Sequence, residues 1–128
     1  MKETIIIITI LTIIIGGDLF INNYLKDTSQ SLIGDLKDLK NKINDGSYEI
    51  KELTKEAKKI DNKWQETERT WAIIVLHSEL DQIETSLIKM KTEIKEDNLD
   101  IAQEELETSI FLINHISEKE KYCLKNVF

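Results

Sequence analysis

One stretch near the amino terminus, IIIITILTIIIGGDLFI over residues 5–21, restricts the fold of this chain more than any other feature. Every residue from Ile5 to Ile15 is Ile, Leu or Thr, and no charge lies between Glu3 and Asp18. A helix lying on a surface needs a polar stripe, and this run has none. In water, so many β-branched residues favour strand and aggregation. In a bilayer the helix is enforced, because each backbone polar group must be satisfied internally. The run therefore reads as a membrane span. Residues 4–17 reach only about 21 Å as a helix, short of the roughly 30 Å hydrocarbon core. Extension to Ile21 gives about 26 Å and brings Asp18 to the boundary, where an acid costs less than at the centre. Phe20 and Tyr24 are placed to act as interfacial aromatics.

A cleaved signal peptide and a buried soluble helix are the rivals. The amino terminus and Lys2 supply the positive start of a signal peptide, and the apolar run supplies its centre. The cleavage site is poor: with Gly17 as the last removed residue, Ile15 falls where a small side chain is wanted. An uncleaved signal anchor over residues 1–21 is the better fit, followed by an acidic helical-bundle domain over residues 22–128. Positive residues favour the cytoplasm, so the amino terminus is expected inside and the carboxy-terminal domain outside the cytoplasm.

Composition limits that second part. There is no proline and there are four glycines, so long helices run without a proline break. The net charge is -7 with no basic block. Nucleic acid is therefore not an expected partner, since phosphate contacts need clustered Lys and Arg. The single cysteine, Cys123, excludes an internal disulfide framework and a cysteine-rich zinc site. It either crosslinks two copies or is an inert thiol.

Apolar positions recur at helical spacing throughout. Leu32, Leu36, Leu39 and Ile43 form one seam, ended by Asn44-Asp45-Gly46, with Gly46 suited to a left-handed cap. Ser47 is a candidate N-cap for the next helix. That helix carries Ile50, Leu53, Ala57, Ile60, Trp64, Thr67 and Trp71 on an unbroken coiled-coil seam. Leu76, Leu80, Ile83, Leu87, Met90 and Ile94 form a third seam, out of register with the second. The chain either turns at 66–73 or continues as one helix whose buried face rotates. Glu96-Asp97-Asn98 ends this segment. Leu99, Ala102, Leu106, Ile110, Ile113 and Ile116 mark a last long helix, and Ser117 with Glu120 reads as a capping box for a short final one. The expected fold is all-α: an N-terminal transmembrane helix, then about four long helices in two αα-hairpins, then a short C-terminal helix. An offset of 51 residues aligns Leu32, Leu36, Leu39, Ile43, Ile50 and Ile60 with Ile83, Leu87, Met90, Ile94, Ile101 and Phe111. Duplication and generic helix patterning both account for it.

Chemistry-bearing residues are few. His77, Asp81 and Glu84 share a helix face, and His115 on the last helix completes a weak candidate metal set. The paired Glu-x-x-His motifs of a carboxylate-bridged centre are absent. The blander account has His77 at the core border, bonded to an acid or carbonyl. Trp64 and Trp71 on one seam form either a ligand slot or two core anchors, the second being commoner. No catalytic motif is found: His77-Ser78-Glu79-Leu80-Asp81 lacks a nucleophile elbow, and no glycine-rich phosphate loop exists. No enzyme activity and no cofactor are expected.

With these residues in view, the chain resembles a known family. The amino-terminal apolar run leads to NDGSYEIKELTKEAKKIDNKW. Then come Trp71, LHSELDQIETSLIKMKTEI, INHISEKE and the terminal NVF. This order is similar to domain of unknown function 4363, short single-pass membrane proteins of Gram-positive anaerobic bacteria. The resemblance rests most on Trp64, Trp71, His77, Glu79, Asp81, Ile83, His115, Ile116, Asn126 and Phe128. It implies an anchored α-helical domain with no assigned catalytic residue, and a multi-pass membrane protein as partner.

The expected role is thus a membrane-anchored interaction or scaffold protein. It meets lipid through residues 4–21 and another envelope protein, or a second copy, through its helix faces. Trp64, Trp71, His77, Asn126 and Phe128 are its candidate interaction or structural residues. The alternative is an extracytoplasmic sensor or ligand-binding bundle with a pocket near Trp64, Trp71 and His77.

Overall fold

The structure, a computed structural model of the chain, describes the backbone of residues 1–127 and the side chains of residues 1–120. Four helices account for nearly all of it: α1 (Lys2–Asp45), α2 (Ile50–Trp71), α3 (His77–Lys95) and α4 (Leu99–Val127). The fold is all-α, as expected from the seams, with no strand among the described residues.

α1 is 44 residues long, about 66 Å at the usual helical rise. The apolar run and the first bundle helix are one element, with no break at Gly16-Gly17. No residue of its amino-terminal part before Leu25 is buried. From there, Leu25, Ser29, Leu32, Leu36, Leu39 and Ile43 step by three and four along one face. The same stepping buries Leu53, Ala57, Ile60, Trp64, Thr67 and Trp71 on α2. It buries Leu80, Ile83, Leu87, Met90 and Ile94 on α3, and Ala102, Leu106, Ser109, Ile113 and Ile116 on α4. Four such stripes facing one axis give a closed four-helix core.

Each helix packs against two neighbours, in the cyclic order α1, α2, α3, α4 and back to α1. Consecutive helices are antiparallel, since each link is short. An ion pair ties every neighbouring pair: Lys63 to Asp35 across α1–α2 at 2.7 Å, Lys91 to Asp61 across α2–α3 at 2.8 Å, Lys119 to Glu79 across α3–α4 at 2.8 Å, and Lys40 to Glu107 across α1–α4. Partly exposed pairs contribute little stability each. Their pairing pattern disfavours helices meeting the wrong neighbour.

The links correct several expectations. Gly46 takes φ 74, as its place after α1 required. The N-cap of α2 is Glu49, without a side-chain cap bond, and not Ser47, whose hydroxyl turns back to Asp45. The chain does turn between the second and third seams, but at 72–76, later than 66–73 implied. The turn holds neither Gly nor Pro. The N–H groups of Ala72, Ile73, Ile74 and Val75 all donate to carbonyls of the last turn of α2. α3 ends at Lys95, and Asp97 adopts φ 63 where a glycine would be commoner. No new helix opens at Ser117. α4 runs through Ser117 and Glu120, because the stripe of Ile113 and Ile116 continues to pack there and no orphan amide calls for a cap.

The apparent repeat holds over one pair of helices only. Leu32, Leu36, Leu39 and Ile43 and their counterparts Ile83, Leu87, Met90 and Ile94 are all buried. Ile60 is buried, but its counterpart Phe111 is exposed, and Ile101 is exposed as well. The buried stripes of α2 and α4 align instead at an offset of 49, which pairs Leu53 with Ala102, Ala57 with Leu106 and Trp64 with Ile113. Half of this two-residue shift comes from the unequal links, 46–49 in the first hairpin and 96–98 in the second; the other half comes from α3 ending one residue earlier in register than α1.

Candidate functional site

The two tryptophans are the largest side chains of the core, and both are fully enclosed. Their rings meet edge to face, centroids 5.8 Å apart at 87°. That geometry suits the aromatic quadrupole and fills the centre of the bundle. An enclosed indole still needs an acceptor for its N–H. Trp64 Nε1 donates to Glu84 Oε2 on α3 at 2.6 Å, and the Gln65 amide donates to the same carboxylate. Trp71 Nε1 donates to Thr28 Oγ1 on α1 at 3.0 Å, while the Thr28 hydroxyl donates to the Tyr24 carbonyl at 2.8 Å. The tryptophans therefore pin α2 to both flanking helices. The candidate slot at Trp64 and Trp71 is closed, and a ligand reaching them would have to displace core.

The four candidate metal ligands are not brought together. His77 opens α3 and is exposed, away from the core border, and Asp81 is exposed one turn later. Glu84 points the other way, into its bonds with Trp64 and Gln65. His115 lies on the outer surface of α4, stacked on Phe111 at 5.9 Å between centroids. No grouping of three or more His, Cys, Asp or Glu suited to a metal ion occurs among the described residues. The i, i+4, i+7 spacing did put three side chains on one face. Which way each leans was decided by the unpaired indole N–H across the interface. His77 lines none of the hollows described below. The side chains of Cys123, Asn126 and Phe128 lie outside the described residues.

Sequence reasoning did not single out Glu84 and Thr28 as tryptophan acceptors. Each sits one position from a buried residue of its stripe, Ile83 and Ser29, which was the available signal. A second polar group was also missed. Glu79, bound to Lys119, keeps its other oxygen, Oε2, enclosed without a hydrogen-bond partner. Nearby Glu120 has its carboxyl pushed above the usual 4.5, chiefly by burial; Lys119 opposes the shift and the Glu79 charge adds to it.

The surface concavities lie at the ends of the bundle. At the far end Lys42, Tyr48 and Glu52 line a charged hollow. At the near end, where α1 leaves the bundle, Phe20, Ile21, Tyr24, Thr70, Ile73 and Ile74 line an apolar groove of about 320 Å³. Between α1 and α4, Asn22, Lys26, Ser29, Asn114 and Glu118 line a polar cleft. Nothing in these three hollows assembles a nucleophile with a base.

One helix, α1, is long and apolar enough to cross a membrane, by length and composition. None of its apolar window is buried. Thr9 and Thr12 return their hydroxyls to the carbonyls of Ile5 and Ile8, both at 2.8 Å, so the two polar side chains between Ile5 and Ile15 are satisfied by the helix itself.

No curated protein and no solved structure matches this chain. A family model does: Domain of unknown function (DUF4363) matches residues 19–127. The match leaves out most of the exposed apolar run and takes in the packed part of α1 with α2, α3 and α4. On that coverage, the chain belongs to the DUF4363 family.

Proposed function

We propose that this protein is a membrane-anchored helical interaction module that holds a partner at the envelope and performs no catalysis. Residues 4–21 cross the bilayer, the amino terminus is cytoplasmic, and the bundle stands outside the cytoplasm. One observation carries the proposal. The unburied apolar run and a wall of the bundle are a single unbroken helix. A module joined by a flexible linker would sample many orientations. One joined through a continuous helix presents the same faces at a set height above the bilayer.

The partner is another membrane protein, and the surface that meets it is the outer face of α3 and α4. Ile88, Ile101 and Phe111 are exposed there, with His115 stacked on Phe111. Trp64 and Trp71 contribute by holding that face in place, since neither reaches the surface. The test is site-specific photocrosslinking from Phe111 and from His77 in native membranes of the full-length protein. The expected result is one recurrent membrane protein captured from Phe111 and lost when Ile101→Asp is added. A folded, membrane-inserted protein that captures nothing specific from either position would reject the proposal.

A further inference from the structure

The two ends of the bundle differ in chemistry. The far end is closed by Gly46-Ser47-Tyr48-Glu49 and by Glu96-Asp97-Asn98, both polar. The near end is closed by the link between α2 and α3, Ala72-Ile73-Ile74-Val75-Leu76, which has no polar side chain. A solvent-facing link would be expected to carry Gly, Pro, Asn, Asp or Ser. Val75 is turned into the core, but Ile73 is 85% exposed and Leu76 63% exposed. No described residue covers them.

Their position identifies the cover. Ile73 and Ile74 share a groove with Phe20, Ile21 and Tyr24 of α1. Phe20 and Ile21 are the last residues of the apolar run, so the exposed link is continuous with the surface of the span. The Trp71–Thr28 bond fixes that register, holding the base of the link one turn above Tyr24. With residues 4–21 across a bilayer, this link lies at the depth where acyl chains meet headgroups. The protein is acidic overall, so attraction to anionic headgroups does not supply the contact. Apolar insertion does.

We propose that the α2–α3 link, through Ile73 and Leu76, is a second membrane contact that dips into the leaflet beside the span and seats the bundle on the bilayer. It rests on the reading of residues 4–21 as a span. The occupant of the groove is lipid.

The test uses the full chain carrying Cys123→Ser, reconstituted at high dilution in phosphatidylcholine vesicles. Single cysteines at Leu11, Ile73 and Ser47 carry an environment-sensitive fluorophore, and lipids with a quencher near the headgroup or along the acyl chain report depth. The expected result is a blue-shifted emission at Ile73→Cys, quenched several-fold more than at Ser47→Cys and best by the shallow quencher, with Leu11→Cys quenched best by the deep one. Quenching at Leu11→Cys with Ile73→Cys no different from Ser47→Cys would overturn the seating contact and leave the span standing. Absence of quenching at Leu11→Cys would remove the span and the contact together. A blue-shifted Ile73→Cys probe that no lipid quenches would assign the groove to a second copy of the chain and reject lipid.

Discussion

The two parts of α1 are the same helix in two different surroundings. From Ile5 to Ile15 its side chains are all Ile, Leu or Thr, and nothing up to Phe20 is buried. From Leu25 onward one residue in three or four is enclosed, and most of the rest are Asp, Lys, Asn, Gln, Ser or Thr. In the first part the hydrophobic face is the whole circumference, so only an apolar solvent can cover it. In the second it is a stripe, so its two neighbours, α2 and α4, suffice. Helix formation is common to both. What differs is the angular distribution of apolar residues, and that separates a helix apolar enough to cross a membrane from a bundle wall.

This contrast makes the two parts separately breakable. The largest effect is expected in the bundle. Trp64→Ala removes the central anchor and leaves Glu84 with Gln65 as its donor across the α2–α3 interface, at about 3–5 kcal/mol. Chemical unfolding of the detergent-solubilised protein should show that loss, while membrane fractionation stays unchanged. If Trp64→Ala also released the protein from membranes, the two parts would not be independent.

The converse variant acts on the apolar run. Leu11→Arg places a charge near the middle of residues 4–21, an insertion cost of about 2.5–3.5 kcal/mol. The protein should shift from the membrane to the soluble or aggregated fraction. A membrane fraction unaffected by Leu11→Arg would mean that residues 4–21 do not span.

Thr28 lies at the junction. Thr28→Val keeps the shape but leaves the enclosed Trp71 N–H without its acceptor, a cost of about 1–3 kcal/mol. Amide exchange should rise first at the end of α2 and the 72–76 link, next to the span, and less at the far end. Uniform loosening would show that the bond does not localise the near end. A smaller loss, about 1 kcal/mol, is expected for Gly46→Ala, since φ 74 is strained for a side chain. It should appear as a lower unfolding midpoint with an unchanged slope.

The least effect concerns pH. The Glu120 carboxyl titrates above 4.5 in the folded protein, because burial disfavours its charge. The folded state then holds more protons than the unfolded state just above pH 4.5, so stability falls as pH rises through that window. Glu120→Gln should remove this slope and be the more stable form at neutral pH, with its advantage gone below pH 4.5. Parallel pH profiles for the two proteins would show that Glu120 does not carry the effect.

The sequence by itself determined the all-α class, the apolar run, the four stripes and the left-handed cap at Gly46, because each rests on local spacing or on one residue's backbone preference. It left undecided whether residues 66–73 turn, since a stripe that changes register reads the same in a bent helix and in two helices. It also pointed to a capping box at Ser117, which the continuing contacts of Ile113 and Ile116 overrode. The candidate site was less legible. His77, Asp81, Glu84 and His115 are spaced as a set, yet Glu84 is taken by Trp64 and His115 by Phe111. Only the tertiary structure decided those pairings, the placement of the 72–76 link beside Phe20 and Tyr24, and the closure of the tryptophan core. The physical reason is common to all three. Helix periodicity fixes which residues share a face, but the partner of a polar atom or an apolar link is set by what the neighbouring helix presents at that height.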